Sequence, residues 1–234
     1  MRLAFALPLA LLAVSCQRPP PPVSPHYVLG APYQAGGVWY YPRDSYEGQE
    51  TGLATVYPSG HPALTADGEA FDQTALAAAH QTLQLPAIAR ITNLENGLQV
   101  LVRINDRGPF VANRLIDLSY TAAAKLDMIR EGTTLVEVRA LTPGVPDDLT
   151  RSAELPPPAL YLQAGAFADV QNAQRLLARL QAAGLAGAFI ASPLQSKSHL
   201  YRVRIGPVGS VAEFDQLASR LAALGIADAR LALD

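Results

Sequence analysis

The chain has 234 residues, enough for one large domain or two small ones, and half of them are hydrophobic, enough for a core in each. A formal net charge of −2 argues against a nucleic-acid binder, which normally carries a basic surplus. Its single cysteine, Cys16, excludes an intrachain disulfide and a cysteine-based metal site.

At the N-terminus, Met1-Arg2 is a short basic start and residues 3–14 form an apolar run too short to span a bilayer. Ser15-Cys16 closes the run, which predicts a secretory signal over residues 1–15. The stretch resembles a bacterial lipobox, with Ala13 where Leu is usual. That resemblance implies cleavage before Cys16, a diacylglycerol on its sulfur and anchorage in a membrane. Gln17 stands in place of the Asp that commonly marks inner-membrane retention, which favours the outer membrane, facing the periplasm. Residues 16–47, with prolines at 19–22 and no apolar period, predict a disordered tether behind the lipid.

A compact segment follows over 48–141. Strands are expected at 87–92, 98–104 and 135–141, and a helix at 120–128 behind Ser119 as N-cap. Mostly strands with one helix points to a small β-barrel. Residues 142–158 (TPGVPDDLTRSAELPPP) are rich in proline and acidic residues and predict a flexible linker.

Residues 159–234 contain an internal repeat. Shifted from 165 to 206, Gly165 falls on Gly206, Asp169 on Ser210, Arg179 on Arg220, Leu180 on Leu221 and Gly184 on Gly225. Each half is strand, N-cap, helix and glycine stop. Ser210-Val211-Ala212-Glu213 has the capping-box pattern, and Gly184 and Gly225 suit the left-handed residue past each helix. With further strands at 188–191 and 227–233, the order is βαββαβ: a four-stranded antiparallel sheet with two helices on one face, of the ferredoxin-like type. Strand alternation turns Leu162, Ala164, Val203 and Ile205 toward the helices and leaves Tyr161, Gln163, Arg202 and Arg204 on the open face.

The chemistry-bearing residues lie in the first segment. Residues 102–110 read VRINDRGPF, so Asp106 sits where a strand is stopped by Gly108-Pro109. Alone, Asn105-Asp106 is a turn, His80 at the end of an alanine run is a core histidine, and Glu69 after Asp67-Gly68 is a solvated turn residue. Taken together and in order, Thr65-Ala66-Asp67-Gly68-Glu69-Ala70-Phe71-Asp72, Ala77-Ala78-Ala79-His80, the NDRGPF stretch and Arg114-Leu115-Ile116-Asp117-Leu118-Ser119 resemble the double-psi β-barrel of the rare lipoprotein A family. That family consists of septal lytic transglycosylases of the bacterial envelope.

The resemblance implies a six-stranded double-psi barrel in which Asp106 is the acid/base, with Glu69 and His80 as its essential neighbours. It implies cleavage of the β-1,4 bond after N-acetylmuramic acid to give 1,6-anhydro ends, which needs no cofactor and no metal. Arg107 is expected to contact substrate, and Asp117 and Arg114 to be structural charges. The stretch 54–62 (ATVYPSGHP) departs from the family's pattern, with Val56 in place of an aromatic and Pro58 where glycine is common; Tyr57 is retained as a stacking residue.

The second segment resembles a sporulation-related repeat (SPOR) domain, which implies that Tyr161, Gln163, Arg202 and Arg204 bind peptidoglycan strands stripped of peptide at the division septum. Two alternatives stay open on the sequence: a wall-binding protein without turnover, and an expansin-like wall loosener.

Overall fold

The computed structural model describes residues 29–43, 49–143, 158–191 and 199–234. The signal segment, Cys16 and nearly all of the 142–158 linker lie outside them. Among the described residues no helix is long and apolar enough to cross a membrane.

Six strands close the barrel: β3 (Gln49–Val56), β4 (Ala77–His80), β5 (Ala87–Asn93), β6 (Gln99–Asp106), β7 (Arg114–Leu118) and β8 (Thr133–Ala140), in the order β3-β7-β4-β6-β5-β8. Two neighbouring pairs are parallel, β3 with β7 and β4 with β6; the others are antiparallel. Parallel neighbours need crossover connections, so the strand ends of distant segments are carried to one rim. Ala54, Ala78, Ala89, Ile91, Val102, Ile104, Ile116, Leu118 and Val136 fill the interior. Helix α1 (Tyr120–Lys125) closes one end, started by Ser119, whose Oγ accepts from the Ala122 N–H.

Part of the stretch expected as tether is folded. Strands β1 (Tyr33–Ala35) and β2 (Val38–Tyr40) form a hairpin on the barrel. The Tyr33 and Tyr40 rings stack at 5.2 Å, and Phe110 meets both edge-on at 6.1 and 5.7 Å. Aromatic packing of this kind outweighs a composition that otherwise favours an extended chain.

The C-terminal domain has strands β9 (Leu160–Phe167), β10 (Ala188–Ala191), β11 (Tyr201–Val208) and β12 (Arg230–Leu233), with helices α2 (Val170–Ala182) and α3 (Val211–Ala223). Its sheet order is β10-β11-β9-β12, all antiparallel. The halves are therefore interlocked, since the edge strand of each pairs with the central strand of the other. Arg179 of α2 donates to the Leu224 carbonyl at the end of α3, and Arg220 of α3 donates back to Ala183 at the end of α2 (3.4 Å). Gly184 and Gly225 both have φ of +77°, as a left-handed helix stop requires. Ser210 Oγ accepts from the Glu213 N–H, whereas the Glu213 carboxylate reaches the N–H of Gly209, one residue before the cap.

The two domains touch. Leu53 and Leu135, paired across β3 and β8, point outward and are buried in the cluster that contains Val211 and Phe214 of the C-terminal domain. A buried leucine contributes roughly 1.5–3 kcal/mol, so this contact has an apolar centre of its own.

Candidate active site

The barrel's register builds the site. Ala79 of β4 is paired with Asp106 of β6 on one side and Asp117 of β7 on the other, and Asp117 is paired in turn with Thr55 of β3. Thr55, Asp117, Ala79 and Asp106 thus form one row across four strands spaced about 4.8 Å apart. Gly108, at φ +139°, carries the chain past both Ala79 and Asp117. A cleft of about 840 Å³ lies over this row, lined by Thr55, Tyr57, His61, Asp106, Arg114 and Asp117 together with Phe110 and Val111.

Asp106 is almost fully buried, and its two oxygens have separate surroundings. Oδ1 accepts the N–H groups of Ala66 (2.9 Å) and of Arg107 (2.8 Å). Oδ2 lies 2.7 Å from His61 Nε2. His61 Nδ1 is 2.9 Å from the Pro62 carbonyl, a group that only accepts, so Nδ1 carries a hydrogen in the neutral ring. Nε2 and Oδ2 are at ion-pair distance, but among the described residues no aligned hydrogen bond reaches Oδ2. Phe71 stacks on His61 at 3.9 Å, and Tyr57 packs edge-on against both rings, which fixes the imidazole against Asp106.

Asp117 accepts a hydrogen bond from Thr55 Oγ1. Burial pushes its carboxyl above the ordinary range and the nearby Asp106 adds to this, while Thr55, Arg114 and His61 oppose it. Burial raises the Tyr57 phenol as well, with Asp106, Asp117 and Asp67 contributing, so Tyr57 stays neutral.

Glu69 and His80 flank Asp106 from behind and do not line the cleft. Glu69 Oε1 pairs with Arg103 (Nε at 2.8 Å), and Oε2 accepts from Asn105 Nδ2 (2.7 Å). The Arg103 hydrogen bond is the main reason its carboxyl is held below the usual range. These bonds clamp the 65–69 turn to the end of β6, which delivers the Ala66 N–H to Asp106. His80 is 1% exposed, and its Nδ1 accepts the N–H groups of Thr82 and Leu83, each at 3.1 Å. Burial, aided by Arg43 and Arg107, depresses its pKa to about 3. Arg107 borders the cleft, but its guanidinium donates to the carbonyls of His80 (3.3 Å), Leu83 and Leu29 (3.0 Å), a strut that joins β4, β6 and the segment before β1.

On the C-terminal domain, Phe189, Arg204, Gln163 and Arg230 form a row across all four strands of the open face. Tyr161 lies beside this row, with Phe189 edge-on at 5.8 Å and the Arg204 guanidinium 5.9 Å from its ring centre. Arg204 pairs with Asp234 at 2.6 Å, and Arg202 donates weakly to Leu200 (3.4 Å).

Two sequence families match these two folds: one described as lytic transglycolase, with a double-psi barrel, over residues 49–138, and the SPOR domain over residues 156–231. The endolytic peptidoglycan transglycosylase RlpA of Pseudomonas aeruginosa (strain UCBPP-PA14) is 34% identical over 257 residues, covering 85% of this chain and 75% of that protein. The chain belongs to the RlpA family. RlpA of Neisseria meningitidis (serogroup A, strain Z2491) is 33% identical over 190 residues, covering 79% of this chain and 77% of its own. Among solved structures, the apo expansin of Clavibacter michiganensis overlaps 51% of this chain and 57% of its own, at 14% identity and a TM-score of 0.34.

For this RlpA-family chain, sequence reasoning missed three residues that line the cleft. Asp117 and Arg114 are structural charges on the sequence reading, yet both line the same cleft as Asp106. His61 lies in the very stretch that departs from the family pattern. Its aromatic neighbours, Tyr57 four residues before and Phe71 ten residues after, are the only local signal of its placement.

Proposed function

We propose that this protein is an envelope lipoprotein that cuts peptidoglycan glycan strands by lytic transglycosylation, with the barrel as catalyst and the SPOR domain as the glycan-binding module. The observation that supports it most is the buried Asp106 carboxyl, with His61 Nε2 2.7 Å from its Oδ2, in a cleft that Asp117 also lines. Breaking the bond between muramic C1 and the glucosamine O4 requires a proton on O4 as positive charge grows at C1. Asp106 gives that proton, and the C1–O4 bond breaks. The muramic C6 hydroxyl then attacks C1, and its proton passes to the Asp106 carboxylate, which regenerates the acid and leaves a 1,6-anhydro ring. One group serves as acid and then as base. Asp117 in its carboxylate form faces the oxocarbenium ion and stabilises it electrostatically. Glu69 and His80 act through Asp106, by holding the turns that supply its backbone donors and fix β4 beside it. Tyr57 and Arg107 border the path of the strand.

The open sheet face, with Tyr161, Gln163, Arg202 and Arg204, holds peptide-free glycan and concentrates the enzyme at the division septum. Two weak sites on one chain raise the effective concentration of substrate at the cleft without any new contact. Lipidation at Cys16 anchors the protein, in our reading in the outer membrane with both domains in the periplasm.

The test is mass spectrometry of peptidoglycan digested by wild type and by Asp106→Asn. Wild type is expected to release anhydromuropeptides, and the variant to lose about 10²–10⁴ in rate while keeping its fold and its binding to sacculi. Folded Asp106→Asn with wild-type turnover overturns the acid/base assignment. Wild type that binds glycan but forms no anhydro ends makes the protein a wall-binding lipoprotein instead.

A further inference from the structure

The seam between barrel and SPOR domain runs along the rim of the cleft. Asn113 sits at φ 62°, a left-handed conformation that asparagine tolerates better than most residues. From there its amide holds the edge of the C-terminal sheet with both ends: Nδ2 donates to the Ala229 carbonyl (3.1 Å) and Oδ1 accepts from the Leu231 N–H (3.0 Å). The next residue, Arg114, sends Nη2 to Asp215 Oδ2 on α3 at 2.7 Å, and only 11% of its side chain is exposed. Behind these polar contacts lie Leu53 and Leu135, buried among residues of the C-terminal core. Arg114 therefore belongs to two places at once, the interdomain seam and the lining of the cleft that holds Asp117.

We propose that Asp215 is a positioning residue: by drawing the Arg114 guanidinium toward α3, it limits how far that cation offsets the charge of Asp117, so that the docked SPOR domain tunes the charge of the catalytic cleft. The effect on turnover rests on the reading of Asp117 as the group that faces the oxocarbenium ion; the effect on Asp117 itself does not. The groups that face Asp117 are Asp106 at the end of β6, His61 and Tyr57 from the connection after β3, and Arg114 on its own strand. Of these, only Arg114 has its side chain paired to the other domain. Removing the negative charge of Asp215 frees Arg114 to turn toward Asp117, and a closer cation favours the carboxylate. The same neutralisation weakens the field that the cleft presents to a cationic transition state.

The experiment uses the full chain with Asp215→Asn, which keeps the shape of a half-buried helix residue, and Asp215→Glu, which keeps the charge. The Asp117 side-chain carboxyl is titrated by carbon-13 NMR without substrate, and kcat and KM are measured on peptide-free glycan. Asp215→Asn is expected to lower the Asp117 midpoint by about half a pH unit or more and to lower kcat about threefold with little change in KM. Asp215→Glu is expected to restore both. An Asp117 midpoint identical in wild type and Asp215→Asn overturns the proposal, as does a kcat loss that Asp215→Glu fails to rescue. A shifted midpoint in a protein that makes no anhydro product supports the positioning role and refutes only the catalytic reading.

Discussion

His80 makes the barrel acid-sensitive in a way that a single substitution isolates. Its Nδ1 already accepts two backbone N–H groups, so the neutral ring carries its hydrogen on Nε2. Protonating Nδ1 would set one donor against two others inside a site that is 1% exposed. The folded ring therefore protonates only near pH 3, against 6.5 for a free histidine. The sign follows from linkage: with the folded value depressed, the stability is fully present above pH 6.5 and is lost as the pH falls toward 3, because the unfolded chain takes up the proton first. Each pH unit crossed well inside that interval costs about 1.4 kcal/mol; going from pH 6.5, where the unfolded histidine is already half protonated, to 4.5 removes about 2 kcal/mol. His80→Asn places an amide oxygen near the Nδ1 position and cannot titrate. Urea melts of both proteins at the two pH values, followed by circular dichroism, should show wild type losing about 2 kcal/mol more than the variant. NMR of the wild-type imidazole should find its midpoint near 3. Equal acid losses in the two proteins, or an imidazole that titrates near 6.5, would refute the reasoning.

Glu69→Gln removes the anion that clamps Arg103 and Asn105; it should cost about 1 kcal/mol and slow anhydro-product formation. Wild-type melting together with wild-type turnover would exclude that buttressing role. Gln163→Ala combined with Arg202→Ala should weaken pelleting with peptide-free sacculi while changing stability by less than about 0.5 kcal/mol; equal binding to peptide-substituted sacculi counts against the glycan-face reading. Cys16→Ala should leave the protein without a diacylglyceryl mass and move it out of the membrane fraction. An unmodified N-terminus on the wild type would end the lipid-anchor proposal.

Features set by a few neighbouring residues were legible in the sequence. Ser119, Ser210 and Asp169 each begin a helix, Gly184 and Gly225 each end one, and alternation assigned Leu162, Val203 and Ile205 to the C-terminal core. Asp106 was visible as the end of a strand before a forced turn. What periodicity could not supply was the register of strands distant in sequence. Asp117 reaches the cleft because parallel pairing sets β7 beside β3 and antiparallel pairing sets it beside β4, so that Thr55 and Ala79 become its lateral neighbours. The hairpin at residues 33–40 was missed for a related reason. Its stability comes from Phe110, some 70 residues away, and the local composition, with glycines and a nearby proline run, says only that the chain is extended.

The reciprocal arginines and exchanged edge strands of the C-terminal domain mean that neither half is a folding unit. Strands β9 and β10 belong to one half yet never pair with each other, and the carbonyls ending α2 are reached by an arginine that this half does not contain. A peptide comprising a single half would carry two wholly unpaired strands and an open helix end. A second copy related by a two-fold axis supplies what is lacking on both counts, because a self-complementary contact of this kind is isologous. The domain is thus a symmetric dimer written into one chain, and its single-chain form frees the two sheet edges and the two halves of the open face to diverge independently.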